Sequence, residues 1–113
     1  MNEDSASNPL TFAIAEEQVV SATEVHLKLD GHLDAEGAPV LSDALGQKLE
    51  QGVRNVTLIF DHVQFISSTG IGTLIAAIGE FRDVGGDVII QGLSNELREV
   101  FEMLDLLDYV TVG

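Results

Sequence analysis

Three consecutive hydroxyl residues, Ser67, Ser68 and Thr69, stand directly before Gly70. Serine and threonine are standard N-terminal caps of helices, but one helix needs only one cap. Small nucleophilic side chains grouped on an exposed turn could also accept a phosphoryl group. A phosphate would gain from the helix dipole and the unpaired N–H groups, yet it would add up to about two negative charges to a contact surface. The stretch therefore predicts a switch that acts by charge repulsion.

Each of these residues also has a simpler explanation. One of the three hydroxyls would cap the following helix, and Gly70 and Gly72 would let two backbone segments pack closely. The sequence leaves open which hydroxyl is the cap. The combination with a preceding apolar pair, Phe65 and Ile66, is less ordinary than any single residue, so both interpretations stay open.

Acidic residues supply a second candidate site. Asp34 and Glu36, in GHLDAEGAP, come just ahead of a predicted helix, whose positive end would stabilise a carboxylate there. A capping acid without a further role and a binding residue explain them equally well. Asp61, predicted to end the next strand, could hold Mg²⁺ together with Asp34 in a receiver-like phosphoaspartate site. Such a site lacks its usual lysine at a later strand end, since the chain has only Lys28 and Lys48.

Other chemistries fit the sequence poorly. A phosphate-binding P-loop needs a lysine after its glycines, and none follows Gly70 and Gly72. A serine hydrolase elbow, G-x-S-x-G around Ser68, would need glycine where Ile66 stands. The three histidines share no helical ligand spacing and are expected at the surface. We expect no metal ion, no cofactor and no catalytic residue.

The composition describes one small acidic domain. The 113 residues are 45% hydrophobic, which is enough for one core, and they include no cysteine, which excludes disulfides and thiolate metal sites. Nineteen acidic against five basic residues give a net charge of −14, which would repel nucleic acid and anionic lipid surfaces. The first residues are polar and acidic, unlike a signal peptide, and no apolar run has spanning length. We therefore expect a cytoplasmic protein with a flexible acidic tail at residues 1–10 and no nucleic-acid or membrane partner.

Hydrophobic periodicity indicates the elements that would position the candidate residues. The order ββαβαβαβ with short connections predicts a single α/β domain with a mixed, mostly parallel sheet and right-handed crossovers. In such sheets, functional residues gather at the carboxyl ends of the strands. The predicted elements are strands at 11–20 and 24–30, a helix at 39–51, a strand at 55–61, a helix at 68–82, a strand at 88–90, a helix after Ser94 and a strand at 109–112.

The segment FISSTGIGTLIAAIGEFRDVGGDVII, residues 65–90, resembles the one shared by anti-sigma factor antagonists and other STAS domains. LDGHLDAEGAPVL upstream and LREVFEMLDLLDYV downstream extend the resemblance, which implies a STAS domain over residues 11–113. The family pattern around the phosphorylated serine is two apolar residues, usually Asp, the acceptor Ser, then Ser or Thr, then Gly. By this pattern Ser68 falls on the acceptor, and Ser67 stands where Asp is frequent. Asp34 falls on the acidic residue that the family uses in partner binding.

The resemblance also implies a function. In bacterial members the unmodified antagonist binds an anti-sigma factor that is also a serine kinase of the histidine-kinase-like ATPase superfamily, and the sigma factor is released. The kinase phosphorylates the acceptor serine, which ends binding, and a PP2C-type phosphatase restores it. For this chain the resemblance implies a non-enzymatic regulator that is phosphorylated at Ser68. The partner-binding residues that it implies are Asp34, Ser67, Ser68, Thr69, Gly70, Ile71 and Gly72.

Two alternatives to this function stay open. Some STAS domains are adaptor or scaffold subunits of stress-signalling or lipid-transport complexes and are never phosphorylated. The receiver-like module with Asp34 and Asp61 is more remote. Ser67 in place of the usual Asp removes one carboxylate beside the acceptor, which would alter recognition by the kinase. The intact Ser-Thr-Gly favours the antagonist.

Overall fold

The computed structural model describes residues 11–113, and the predicted tail at residues 1–10 lies outside that part. The described chain folds into five strands and three helices in the predicted order ββαβαβαβ. The strands are β1 (Ala13–Val19), β2 (Glu24–Leu33), β3 (Asn55–Ile66), β4 (Asp87–Gln91) and β5 (Thr111–Val112), and the helices are α1 (Gly37–Glu50), α2 (Ser68–Asp83) and α3 (Asn95–Met103).

The described strands form one sheet in the order β1-β2-β3-β4-β5. β1 runs antiparallel to β2, and each of the other neighbouring pairs is parallel. The predicted mixed and mostly parallel sheet is therefore confirmed. A helix connects the two strands of each parallel pair, so the residues that start α1 and α2 lie beyond the carboxyl ends of β2 and β3.

One face of the sheet carries the apolar core. Along β2, Val25, Leu27 and Leu29 alternate with polar residues and are at most 2% exposed. Leu27 pairs with Leu58 of β3, which pairs with Ile90 of β4, and residues paired in register share a face. α1 packs against β1 and β2, α2 packs against β3 and β4, and the two helices pack against each other. The alternation predicted from the sequence thus sets which face the helices cover.

β1 is an edge strand, and six of its seven residues are exposed. Two of its acidic side chains form salt bridges, from Glu16 to Lys28 at 3.5 Å and from Glu17 to Lys48 at 2.6 Å. Successive side chains of a strand point to opposite faces. Since Lys48 belongs to α1 and Lys28 to β2, the Glu17 pair lies on the helix side of the sheet and the Glu16 pair on the other side.

Two strands are longer than the sequence predicted. β2 continues to Leu33 rather than ending at residue 30, and β3 continues to Ile66. Asp61, predicted to end its strand, lies inside β3. The pairing of β2 with β3 contains two register shifts in this region, and the polar side chains that β3 carries there, Asp61, His62 and Gln64, are exposed. Because an exposed polar residue does not interrupt a ladder of backbone hydrogen bonds, the end of the apolar run was not the end of the strand.

The last strand is shorter than predicted, with only two residues instead of four. The N–H groups of Tyr109 and Val110 both donate to the carbonyl of Leu106 at 2.9 Å, so these residues belong to a turn.

A polar cluster holds β5 against β4. Asp87 accepts hydrogen bonds from Thr111 Oγ1 at 2.6 Å and from Arg82 Nε at 3.0 Å. Burial favours the neutral form of Asp87, but hydrogen bonds from Thr111, from the N–H of Val88 and from Arg82, together with the charge of Arg82, outweigh it and lower the pKa of Asp87.

The helices begin within two residues of their predicted starts. α1 begins at Gly37, which places Pro39 in its first turn as expected, and α2 begins at Ser68. Ser94 caps α3 as predicted, since its Oγ accepts from the N–H of Leu97 at 3.1 Å. None of these three helices is long and apolar enough to cross a membrane.

Candidate functional site

The loops after β2 and β3 leave the sheet side by side. Leu33 and Ile66, the last residues of these strands, are partners in the parallel register, and Asp34 and Ser67 follow them directly. The backbone N–H of Ser67 donates to the carbonyl oxygen of Leu33 at 3.0 Å. The fold therefore brings the Asp34 loop and the hydroxyl stretch together at one edge of the sheet.

Asp61 does not join this edge. It lies five residues before Ile66 in β3, and at about 3.3 Å per residue the intervening strand separates it by about 16 Å from the edge where Asp34 lies. Its carboxylate instead lies against Gly92, where an added Cβ would overlap Asp61 Oδ1. Among residues 11–113 no group of three or more His, Asp and Glu side chains is placed to hold a metal ion. The receiver-like pairing of Asp34 with Asp61 is therefore wrong, because β3 extends well past Asp61.

Asp34 anchors the start of α1. Its Oδ1 accepts hydrogen bonds from the N–H of Glu36 at 3.1 Å and of Gly37 at 2.9 Å, and its carbonyl accepts from the N–H of Ala38 at 2.8 Å. The predicted capping role is thus present, although Glu36 occupies the formal cap position and its own side chain makes no capping bond. These bonds use one oxygen of the carboxylate, and Asp34 is half-buried. Whether Asp34 contacts a partner stays a prediction.

A groove of about 430 Å³ lies beside Asp34. Its apolar part comes from Phe12, which is buried, and Val40, which is 47% exposed. Gly37 closes one side, and a Cβ at this position would overlap the Phe12 side chain. The lining residues are Thr11, Phe12, His32, Asp34, Glu36, Gly37 and Val40.

Ser67 is the residue that caps α2. Its backbone is extended, with φ −91° and ψ 172°, and its Oγ accepts from the N–H of Gly70 at 3.2 Å. The same hydroxyl lies 3.5 Å from the carbonyl oxygen of Leu33, to which it donates. The backbone carbonyl of Ser67 accepts the first hydrogen bond of the helix, from the N–H of Ile71 at 2.9 Å. Of the three hydroxyls that the sequence left open, the first one is the cap.

Gly70 allows α2 to start against the end of β2. It is buried, and a Cβ on it would overlap the carbonyl oxygen of Leu33. Backbone cannot move aside as a flexible side chain would, so the position accepts no larger residue without a shift of the helix. This close approach confirms the structural explanation predicted for Gly70, whereas a Cβ on Gly72 would meet no atom within 4 Å outside its own turn in the described chain.

Ser68 and Thr69 are the first two residues of α2, and both are exposed. Neither hydroxyl is hydrogen-bonded to another residue in the range 11–113, and the capping bond of the helix comes from Ser67. Ile71, which the sequence placed with the partner-binding residues, is only 8% exposed and packs in the core, and Gly72 is exposed. Whether these residues touch a partner stays a prediction.

An exposed aromatic residue beside the site was not identified from the sequence. Phe65 is 45% exposed, and its ring centroid lies 5.4 Å from that of His32, its partner in the register of β2 and β3. The available signal was the run of two apolar residues at 65 and 66, since strand alternation lets only one of them face the core. Ile66 is the buried one.

The family model of the STAS domain matches residues 11–113. The chain belongs to the STAS domain family. The resemblance seen in the sequence is confirmed by this match, and the five-stranded sheet with three helices is the STAS fold.

Individual STAS proteins show how far the similarity extends. The chain is 26% identical over 90 residues to an anti-sigma-B factor antagonist of Bacillus subtilis, an alignment that covers 80% of this chain and 82% of that protein. It superimposes on the anti-sigma factor antagonist SpoIIAA in its unphosphorylated form with a TM-score of 0.75, 22% identity and coverage of 87% and 86% of the two chains. The phosphorylated form of the Bacillus cell fate determinant SpoIIAA gives a TM-score of 0.69 at 23% identity, with coverage of 87% and 89%. At these identities the structural comparisons establish the fold.

The two glycines of the stretch provide a matched test of the packing at the site. We expect Gly70→Ala to lower the free energy of unfolding by about 1–3 kcal/mol, because the new methyl group overlaps the Leu33 carbonyl. Gly72→Ala should be neutral or stabilising by up to about 1 kcal/mol, because alanine is the better helix former and its methyl group meets open space. Urea unfolding followed by circular dichroism measures both. Equal effects of the two substitutions would contradict the close approach.

Proposed function

We propose that this STAS domain is an anti-sigma factor antagonist. In its unmodified form it binds an anti-sigma factor that is also a serine kinase of the histidine-kinase-like ATPase superfamily, and the sigma factor is released. Phosphorylation of Ser68 by that kinase ends the binding, and a PP2C-type phosphatase reverses it. The relative named as an anti-sigma-B factor antagonist supports this role. The observation that carries the proposal is that Ser67 provides the capping hydrogen bond of α2, so the exposed Ser68 hydroxyl is not needed to cap the helix.

The chemistry needs only an accessible hydroxyl on this chain. The γ-phosphoryl group of ATP moves to Oγ of Ser68, so that the bond from phosphorus to the ADP oxygen breaks and a bond from phosphorus to Oγ forms. The hydroxyl proton leaves with the products, which are ADP and phosphoserine. Catalytic groups for this transfer belong to the kinase, and the role of this cytoplasmic chain is to present the acceptor.

The effect of the phosphate on binding follows from charge. Ser68 adjoins Ser67, whose backbone contacts Leu33, the residue before Asp34. A phosphate adds about −1.5 to −2 charges to a surface that already carries the half-buried Asp34 carboxylate, on a chain of net charge −14. At the start of a helix these charges are tolerated by the free chain, since N–H groups and the dipole favour them. In a desolvated contact with a partner shaped for a neutral serine, they are repelled.

Transfer of phosphate is the direct test. The chain is incubated with ATP and the kinase encoded nearest to its gene, and the modified residue is located by mass spectrometry. We expect one phosphate on Ser68 and none on a Ser68→Ala control. A chain that binds the kinase but never takes up phosphate would instead be an adaptor or scaffold subunit, and phosphate on Asp61 would also refute the proposal.

An acidic mimic tests the repulsion. We expect Ser68→Asp to weaken binding to the kinase by about 1–3 kcal/mol, measured by isothermal titration calorimetry, because a carboxylate enters the desolvated contact. Ala76→Asp, an exposed position further along α2, adds the same charge away from the site and should leave the affinity unchanged. Ser68→Ala should bind like the wild type and unfold at the same urea concentration, because Ser67 provides the cap. Equal affinities of both acidic variants and the wild type would exclude repulsion at this place.

Asp34 allows its capping role to be separated from partner binding. Asn and Asp are equally good capping residues, so Asp34→Asn should keep the stability of the fold, whereas Asp34→Ala should lose about 1 kcal/mol. If the free carboxylate oxygen contacts the kinase, both variants should bind it about tenfold more weakly, because both remove the charge. Binding titrations and urea unfolding of the two variants measure these effects. An Asp34→Asn variant that binds as tightly as the wild type would leave Asp34 with a capping role alone.

A further inference from the structure

The strand β3 extends well beyond the end of its neighbour β4. Its pairing with β2 continues to Ile66, whereas its pairing with β4 stops at Ile59. The chain then turns at Gly92, which lies against Asp61, and leaves the sheet towards α3. Residues 62–66 therefore have a neighbouring strand on the β2 side only, and the side that β4 does not reach is called here the free edge of β3.

The backbone of the free edge is available for further pairing. The N–H and C=O groups of a strand point alternately to its two sides, so some of those in residues 62–66 point away from β2. Within residues 11–113 no backbone hydrogen bond joins this segment to any strand or loop other than β2. α3 packs against β3, but His62, Gln64 and Phe65 are exposed. The free edge is therefore accessible at three of its five residues.

The side chains of the free edge differ from those of β1, the exposed strand at the side of the sheet. Glu16 and Glu17 of β1 each form a salt bridge, and a strand added there would have to desolvate these ions. Residues 62–66 contain no carboxylate, lysine or arginine. They include Phe65, whose ring is 45% exposed and packs against His32. Aromatic side chains are enriched in protein interfaces, so Phe65 is a suitable anchor for a partner.

The free edge leads directly into the proposed phosphorylation site. Phe65 and Ser68 are three residues apart, which is about 11 Å at most even in a fully extended chain. A standard interface covers about 800 Å² of each partner, which corresponds to a patch about 30 Å across. A kinase whose contact is centred on Ser68 would therefore also cover Phe65 and much of the free edge.

Charge indicates which kind of segment would pair with this edge. The chain has a net charge of −14, and Asp61 is exposed where the free edge begins. A second copy of the chain would bring two strongly acidic surfaces together, whereas a segment with lysine or arginine would complement them. The free edge therefore fits a basic partner segment better than another copy of this chain.

We propose that an extended, basic segment of the kinase adds as a strand to the free edge of β3, with Phe65 as its side-chain anchor. The inference rests on the proposed function, because its occupant is the kinase that phosphorylates Ser68. In strand addition, hydrogen bonds between the two backbones supply affinity and the side chains supply specificity. Since β3 runs into the start of α2, a segment paired with it would also hold the kinase in a fixed position relative to Ser68.

Amide hydrogen exchange tests the strand addition. Exchange of each amide of the isotope-labelled chain is followed by NMR with and without a saturating amount of the kinase encoded nearest to its gene. We expect those amides of residues 62–66 that exchange fast in the free chain to slow at least about tenfold in the complex, because a hydrogen-bonded amide must open before it exchanges. The fast amides of β1 are the matched control and should keep their rates. Unchanged exchange at residues 62–66 would overturn the inference.

Two further measurements test the pairing and its anchor. Nuclear Overhauser effects between backbone protons of residues 62–66 and backbone protons of the kinase would identify strand pairing, whereas effects to kinase side chains alone would overturn it. We expect Phe65→Ala to raise the Kd for the kinase about tenfold, and Phe65→Tyr, which keeps the ring, to stay within about twofold of the wild type. Met103→Ala removes an 80% exposed side chain at the end of α3 and should leave the Kd unchanged. Wild-type affinity in Phe65→Ala would exclude Phe65 as the anchor.

The outcomes separate the inference from the proposed function. A chain that is phosphorylated on Ser68 but shows no protection at residues 62–66 in the complex would overturn the strand addition and leave the proposed function intact. A chain that neither binds the kinase nor takes up phosphate would overturn both. Protection at residues 62–66 that appears without kinase, when the concentration of the chain is raised, would assign the free edge to self-association and overturn the inference.

Discussion

The geometry of the candidate site depends on the carbonyl oxygen of Leu33, the last residue of β2. This oxygen accepts a hydrogen bond from the N–H of Ser67 at 3.0 Å and lies 3.5 Å from the Ser67 hydroxyl. Gly70 packs so close to this oxygen that no Cβ fits between them. The peptide that carries the oxygen leads directly into Asp34, which caps α1. A single backbone group thus sets the position of two helices and of the loops between strand and helix at this edge.

This packing allows the surface at the start of α2 to change its charge without a change in the backbone. Ile66 and Ile71 lie in the core on either side of the hydroxyl stretch, and closely packed interiors resist displacement. The start of α2 is therefore fixed by apolar contacts with the core and by its contacts with Leu33 at the end of β2. A group added to the exposed Ser68 hydroxyl would alter the surface that a partner meets without requiring the fold to rearrange. The division between a structural hydroxyl at 67 and a free one at 68 makes this possible.

The sequence predicted those features that depend on local pattern. Period-two alternation in β2, helical spacing in α2 and the Ser94 cap of α3 are properties of short segments, and the structure has each of them. Features that depend on distant residues were not predictable in the same way. The choice of Ser67 as cap involves Leu33, 34 residues away, and the continuation of β3 past Asp61 depends on pairing with β2. The exposure of Phe65 likewise follows from which of two apolar neighbours the sheet turns inward.

The edge strand β1 has a consequence for how copies of this chain behave in concentrated solution. An exposed strand edge is a template for pairing with another molecule, and native proteins often guard such edges with charge. Here Glu16 and Glu17 point to opposite faces and each forms a salt bridge with a lysine, so the edge carries charged and hydrated side chains on both faces of the sheet, which a second β1 laid alongside would have to desolvate. These charges oppose self-association through β1 and the nucleation of fibrous aggregates that would follow from it. Neither salt bridge involves Ser68.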